Sequence, residues 1–301
     1  MAVALPAQNT QPSTAVFNVL ANLTGGPYSG LAQGTDGNFY GTSFGSTFYG
    51  TAYQMTPAGT LTTIYNFCSQ PNCADGYFPI GAPAALALGT DGNFYGTTGV
   101  GGAGDPSGPC AAASGGCGTI YNITPSGALT VLYNICSQPN CADGMGASGL
   151  VLGPDGNFYG AMAFGGANNN STYCPPGCGT VFQITPAGEF TTTYNFCSQT
   201  NCSDGANPGA PLTVGLDGNL YGIAGGGGTL GIGAVFRLSL GGTLTVLHSF
   251  ESGNADGACW HGCSPSLVQA PNGNLYGVTQ SGGIFNPFLA QEDGVLFQVT
   301  G

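Results

Sequence analysis

The eight letters TDGNFYGT stand at residues 35–42 and again at 90–97. Three variants follow: PDGNFYG at 154–160, LDGNLYG at 216–222 and PNGNLYG at 271–277. Five copies of one turn imply five copies of one structural unit, because units of this kind bury their apolar faces by stacking on neighbours. The Asp-x-Asn-x-x-Gly opening is that of an EF-hand calcium loop, but Tyr40 and Tyr95 occupy its fifth position and no Glu closes either loop. A hairpin fits better. Asp-Gly suits a type I′ turn, and Asn38-Phe39-Tyr40 or Asn93-Phe94-Tyr95 then opens the returning strand.

Each turn leads through a Gly-rich loop into a second strand: TAYQMTPAG at 51, TIYNITPSG at 119, TVFQITPAG at 180, AVFRLSLGG at 234 and VLFQVTG at 295. The Pro-x-Gly endings are turns. From them a third strand returns, as TLTTIYNF at 60, ALTVLYNI at 128, EFTTTYNF at 189 and TLTVLHSF at 243, and a short apolar strand precedes each Asp turn. Helix signals are absent. Four antiparallel strands per unit predict an all-β fold, a five-bladed β-propeller of four-stranded antiparallel blades. The fifth copy stops at Gly301 without its return strand, and TAVFNVLANL at 14 resembles the missing piece. Residues 14–23 are therefore expected to pair with residues 294–300 and close the ring, leaving no open edge. Residues 14–301 form one propeller domain in this reading, and residues 1–13 an N-terminal extended arm.

Units written DGNFYGTT, GTVF, TPSG and LYNI resemble those of the GloVer (Gloeobacter/Verrucomicrobia) tandem-repeat proteins of bacterial surfaces, from about residue 14 to the end. The resemblance implies a secreted β-propeller, often with a separate C-terminal anchoring segment, and no catalytic residues. The sequence ends at Gly301 without such a segment, so attachment through a tail is not expected.

Composition narrows the partners. One basic residue, Arg237, stands against 13 acidic ones, for a net charge of −12. Neither phosphate contacts nor a polybasic patch is available, which argues against nucleic acid and anionic membrane surfaces. No run of eighteen apolar residues exists to insert into a membrane. At 42% hydrophobic and 11% aromatic, the chain nevertheless has the material for a packed core. Twelve cysteines fall as six close pairs, Cys68/Cys73, Cys110/Cys117, Cys136/Cys141, Cys174/Cys178, Cys197/Cys202 and Cys259/Cys263. Local disulfides in an oxidising, extracellular or cell-surface setting explain the even number in every cluster. Zinc is the rival: it would need two clusters to converge, and the short Cys-x-x-Cys knuckle never occurs.

In an up-and-down blade the Asp-Gly and Pro-x-Gly turns share one end, so all twelve cysteines and the longest loops lie at the other. That loop-rich face is where a rigid scaffold would display function. On it, CWHGC places Trp260 and His261 between Cys259 and Cys263, a pair suited to stacking on a sugar or anchoring a partner, or else to plugging a gap between blades. Arg237 aligns with Gln54, Asn122, Gln183 and Gln298, and His248 with Tyr65, Tyr133 and Tyr194, so both fill ordinary repeat positions. Asp75, Asp143, Asp204 and Asp256 end the linkers in Asp-Gly and could either ring a channel mouth around a cation or simply turn the chain.

No catalytic set is legible. The non-repeating acids are Asp105, Glu189, Glu251, Glu292 and Asp293; Glu189 falls on the tight-turn face, and no Ser-His-Asp set, phosphate loop or nucleotide fingerprint accompanies them. No cofactor is expected. Asn22, Asn122, Asn169, Asn170 and Asn201 match the glycosylation pattern, with Asn170 best placed in a long loop. In the arm, Val3 and Leu5 are apolar enough to dock on an adjoining copy. The expected function is a non-enzymatic extracellular structural protein that assembles with copies of itself or coats a surface; the alternative is a module that binds glycan or protein through the loop face.

Overall fold

The computed structural model describes residues 17–23, 25–27, 29–45, 49–79, 86–104, 110, 115–170, 174, 176–251, 267–279, 285–286, 291–292 and 294–300. The architecture is all-β, and each repeat forms its own antiparallel sheet. The first holds β1 (Ala32–Gln33), β2 (Phe39–Ser43), β3 (Thr51–Met55) and β4 (Leu61–Asn66) in that order. The second holds β5 (Ala87–Leu88), β6 (Phe94–Thr97), β7 (Thr119–Ile123) and β8 (Leu129–Asn134). In the third, β9 (Met145–Ala147) adds to β11 of the meander β10 (Val151–Leu152), β11 (Phe158–Phe164), β12 (Thr180–Ile184) and β13 (Phe190–Asn195). The fourth holds β14 (Thr213–Val214), β15 (Leu220–Ala224), β16 (Ala234–Leu238) and β17 (Leu244–Ser249). In the fifth, β18 (Val268–Gln269) and β19 (Leu275–Val278) are followed by a separate pair, β20 (Phe285–Asn286) and β21 (Gln291–Glu292), before β22 (Leu296–Val299) rejoins β19.

The turn that opens each unit differs from the expected type I′. Gly37 N–H donates to Gly34 O and Gly34 N–H to Asn38 O, and only Gly37, at φ 81°, enters the left-handed region. Thr35 and Asp36 keep negative φ, so the loop is a type I turn closed by a left-handed glycine. The side chain accounts for the choice: in this turn the Asp36 carboxylate accepts the Asn38 backbone N–H two residues on.

Phe and Tyr are adjacent in the repeat, so a strand sends them to opposite faces of its sheet. The result is a seam between sheets. Tyr40 packs on Phe94 of the next sheet with ring centroids 4.2 Å apart, and Tyr95 on Phe158 at 3.9 Å. Tyr159 shares a core cluster with Leu220, and Tyr221 shares one with Leu275. All eight side chains are buried. The glycine that follows Tyr leaves room for an aromatic ring of the neighbouring strand. A Cβ on Gly96 would sit 2.6 Å from Tyr121 Oη, and one on Gly160 would sit 2.5 Å from Phe182 Cζ. The turn before each outer strand is fitted to the preceding sheet in the same way: a Cβ on Gly188 would approach Leu132 O to 3.0 Å, and one on Gly242 would approach Thr193 O to 2.8 Å.

At the two ends this pattern is incomplete. Phe39 and Tyr276, which lack a described partner across a seam, are half-buried. Among the described residues β22 pairs with β19 only, and the expected pairing of residues 14–23 with 294–300 is not formed. Residues 17–23 form no strand; they run beside the first sheet, where Leu20 O faces Gly59 as Leu132 O faces Gly188. Phe158→Ala, which empties a completed seam, should lower stability by about 3–5 kcal/mol. Phe39→Ala, at an end, should cost clearly less. Urea unfolding of the two variants measures the difference.

Candidate functional site

Each Asp-Gly-Asn-Phe/Leu-Tyr-Gly turn is held by its carboxylate. Asp36 Oδ1 accepts the Asn38 backbone N–H at 3.1 Å, and Oδ2 accepts Asn38 Nδ2 at 2.7 Å and the Tyr40 hydroxyl at 2.8 Å. Gln54 Nε2 in turn donates to Tyr40 Oη at 2.6 Å. The same three donors reach Asp91, Asp155 and Asp217. These oxygens are committed to the turn, which disposes of the calcium-loop reading. The Tyr40 hydrogen bond chiefly holds the Asp36 carboxyl below its ordinary value. At Asp155, partial burial opposes the charge, but donation from Asn157 and Tyr159 outweighs it and the pKa is again lowered.

The linker Asp-Gly pairs do something else. Asp75 is fully buried and accepts the Tyr65 hydroxyl at 2.8 Å, Ser69 N–H at 2.9 Å, Ser69 Oγ at 3.1 Å and Gln70 N–H at 3.2 Å. Asp143 and Asp204, also fully buried, repeat the network with Tyr133, Ser137 and Gln138 and with Tyr194, Ser198 and Gln199. The cation-ring reading is therefore overturned for these three, whose carboxylates stitch an outer strand to the linker after it. Asp256 lies outside the described residues. Sequence carried a signal for the network in the ten-residue Tyr-to-Asp spacing of Tyr65/Asp75, Tyr133/Asp143 and Tyr194/Asp204. Burial and the Asp143 charge both disfavour phenolate, and the Tyr133 hydroxyl is pushed up to about 12.

Five of the expected disulfides are formed: Cys68–Cys73, Cys110–Cys117, Cys136–Cys141, Cys174–Cys178 and Cys197–Cys202. All occupy the connections opposite the tight turns. They accompany an unusual backbone, since Cys68, Asn72 and Cys73 all have positive φ, as do their counterparts in the next two linkers. Each such residue costs about 1–2 kcal/mol in an unconstrained chain. Cys259, Cys263, Trp260 and His261 lie outside the described residues, as do Val3, Leu5, Asp105 and Asp293.

The singular residues occupy the predicted columns. Arg237 pairs with Tyr221 and Thr245 in β16. His248 stands edge-on to Phe250 at 5.5 Å, just as Tyr65 stands to Phe67 and Tyr194 to Phe196. Glu189 is exposed at the tight turn before β13 of the third sheet, Glu251 follows β17 of the fourth, and Glu292 lies in β21. Of the glycosylation candidates, Asn22 and Asn201 are exposed, Asn169 and Asn170 lie in the loop after β11, and Asn122 is half-buried within β7. No helix among the described residues is long and apolar enough to cross a membrane.

Removing the Asp143 carboxylate strands the Tyr133 hydroxyl and two backbone donors, so Asp143→Ala should destabilise by about 3 kcal/mol. Chemical denaturation of this variant beside wild type reads that loss. The turn carboxylates have depressed pKa values, so their stabilisation is complete above the unfolded value of about 4 and disappears as pH falls through the lower folded one. For Tyr133 and Tyr194, raised to about 12, the folded state is favoured below the unfolded value of 10.0, and the advantage is lost as pH rises toward 12. Thermal midpoints across both ranges should therefore drop at each end. Asp155→Asn should flatten the acid limb, and Tyr133→Phe the alkaline one.

Among solved structures, the chain resembles virginiamycin B lyase from Staphylococcus aureus, at 16% identity over 85% of this chain and 78% of that one, with a TM-score of 0.41. It also resembles the gluconolactonase XC5397 from Xanthomonas campestris (15%, 82% and 67%, TM-score 0.47) and the PQQ-bound aldose sugar dehydrogenase from Streptomyces coelicolor (13%, 96% and 99%, TM-score 0.44). Likeness of this degree transfers neither substrate nor reaction. No curated protein matches. The Gloeobacter/Verrucomicrobia repeat matches residues 6–174 and 110–301, the very span over which the Asp-turn, aromatic seam and linker networks recur, and the chain belongs to that repeat family.

Proposed function

We propose that the protein is a non-enzymatic extracellular structural subunit: a five-bladed propeller, closed through residues 14–23, that assembles with copies of itself. The observation that carries this reading is a matched pair of unfilled ends. At one end, β22 has no outer partner among the described residues and Leu296 is 75% exposed. At the other, residues 17–23 expose Phe17, Val19 and Leu20, while Leu20 O already faces Gly59 as outer-strand carbonyls face the matching glycines of the other sheets. Edge strands of this kind are completed by pairing. A partner strand from the same chain closes the ring, and would also bring Phe39 and Tyr276 together as a fifth seam.

Completing the edge in this way leaves residues 1–13 to reach a neighbouring copy. A contact of that sort is heterologous, so it propagates a filament unless its rotation closes. The disulfides suit an oxidising exterior. The described acids favour structure over chemistry, because the buried ones are spent on linker networks in three separate sheets.

Deleting residues 1–13 should leave a folded monomer while abolishing oligomers seen by light scattering and fibres seen by electron microscopy. Unchanged assembly after the deletion would refute the arm as connector. Glycan binding lost in Trp260→Ala, with no assembly by wild type, would instead favour a glycan-binding module.

A further inference from the structure

Two of the disulfides lie against each other. Cys174–Cys178 closes the loop after β11, Cys197–Cys202 closes the linker after β13, and their four sulfur atoms lie within 4.8 Å of one another. The fold supplies this convergence: β11 and β13 flank β12, so both connections leave the sheet at the same end. The cluster is enclosed, with Cys174, Cys178 and Cys202 at most 1% exposed and packed with Val181 and Phe196. The preceding unit brings three sulfurs together at the corresponding place. Cys117, Cys136 and Cys141 cluster within the same distance, and Cys110 is bonded to Cys117. The first unit has Cys68–Cys73 alone in its linker, without a second pair beside it among the described residues.

We propose that the four-cysteine cluster of the third unit and, once Cys110 completes it, the three-cysteine cluster of the second are, when reduced, tetrathiolate sites for zinc(II), so that the same sulfurs hold either two disulfides or one metal ion. With Zn–S bonds of about 2.3 Å, tetrahedral geometry sets its sulfurs about 3.8 Å apart. The four sulfurs of Cys174, Cys178, Cys197 and Cys202, already within 4.8 Å, need only adjustments of about an ångström to reach it, and in the second unit Cys110 has to swing in from its bond to Cys117. The chemistry balances. A dithiol reductant delivers two electrons and two protons to each disulfide and leaves as its own cyclic disulfide, giving four thiols. Zinc(II) then displaces four protons and forms four Zn–S bonds without any change of oxidation state. The metal also supplies what an apolar surrounding withholds, stabilisation of thiolate over thiol. Convergence of two cysteine pairs, which zinc requires and spacing alone does not reveal, is present here.

The test uses the full chain, reduced with dithiothreitol, freed of metal under anaerobic conditions and titrated with cobalt(II) as a spectroscopic probe. Tetrahedral thiolate–cobalt absorption should saturate at two ions per chain and be bleached by zinc(II). Cys174→Ser/Cys178→Ser should lose one ion, and Cys68→Ser/Cys73→Ser should keep both. A reduced protein that retains its strand circular dichroism but develops no thiolate–cobalt bands overturns the proposal, as does full stoichiometry in Cys174→Ser/Cys178→Ser. Where reduction unfolds the chain, recovery of the strand signal on adding zinc(II) supports the site and failure to recover overturns it.

Discussion

The structure rests on contacts between sheets, formed by two adjacent residues of one strand. Phe94 faces back to Tyr40, Tyr95 faces forward to Phe158, and the same alternation links the third and fourth sheets through Tyr159 and Leu220. Because neighbouring residues of a strand point to opposite faces, one dipeptide supplies both halves of successive seams. A single sheet therefore has two apolar faces and no way to cover either, so the units are stable only in company. The hydrogen-bonded turn serves this arrangement as well: Asp91 holds the Tyr95 hydroxyl at 2.9 Å and so satisfies the polar end of a ring whose body is buried.

The distribution of acids follows from the same economy of donors. With one basic residue in the chain, carboxylates have almost no ion-pair partners, and hydrogen bonds from amides and hydroxyls take that role. Asp36, Asp91, Asp155 and Asp217 serve the turns, and Asp75, Asp143 and Asp204 serve the linkers. Seven of the 13 acidic residues are thus internal fasteners. The acidic composition describes how the backbone is tied more than what the surface attracts.

Much of this is legible in the sequence. Strand order, turn positions and the repeat columns of His248 and Arg237 follow from period and alternation, which are local properties. The turn type is not legible there, because Asp-Gly alone suggests type I′, whereas the Asp36 side chain selects the turn through a bond to Asn38. The buried role of Asp75 was obscured because its main partner, Tyr65, lies ten residues away on another element, and only the threefold recurrence of that spacing betrays it. Convergence of Cys174/Cys178 with Cys197/Cys202 depends on two connections leaving one end of a sheet, information that belongs to topology. Trp260 and His261 lie outside the described residues, so the loop-face reading stands on sequence.

The fit between a turn glycine and the carbonyl of the preceding sheet has an evolutionary consequence. Gly127 meets Ile64 O, Gly188 meets Leu132 O and Gly242 meets Thr193 O, so the junction is read through backbone and is indifferent to which side chain the outer strand carries. Ile, Leu and Thr are equivalent there. A unit duplicated or transposed by recombination would arrive with both halves of its junctions already made, and its outer strand would be free to diversify. Lineages built from this repeat can therefore change the number and order of their units without inventing a new interface, while the loops at the opposite end diverge independently.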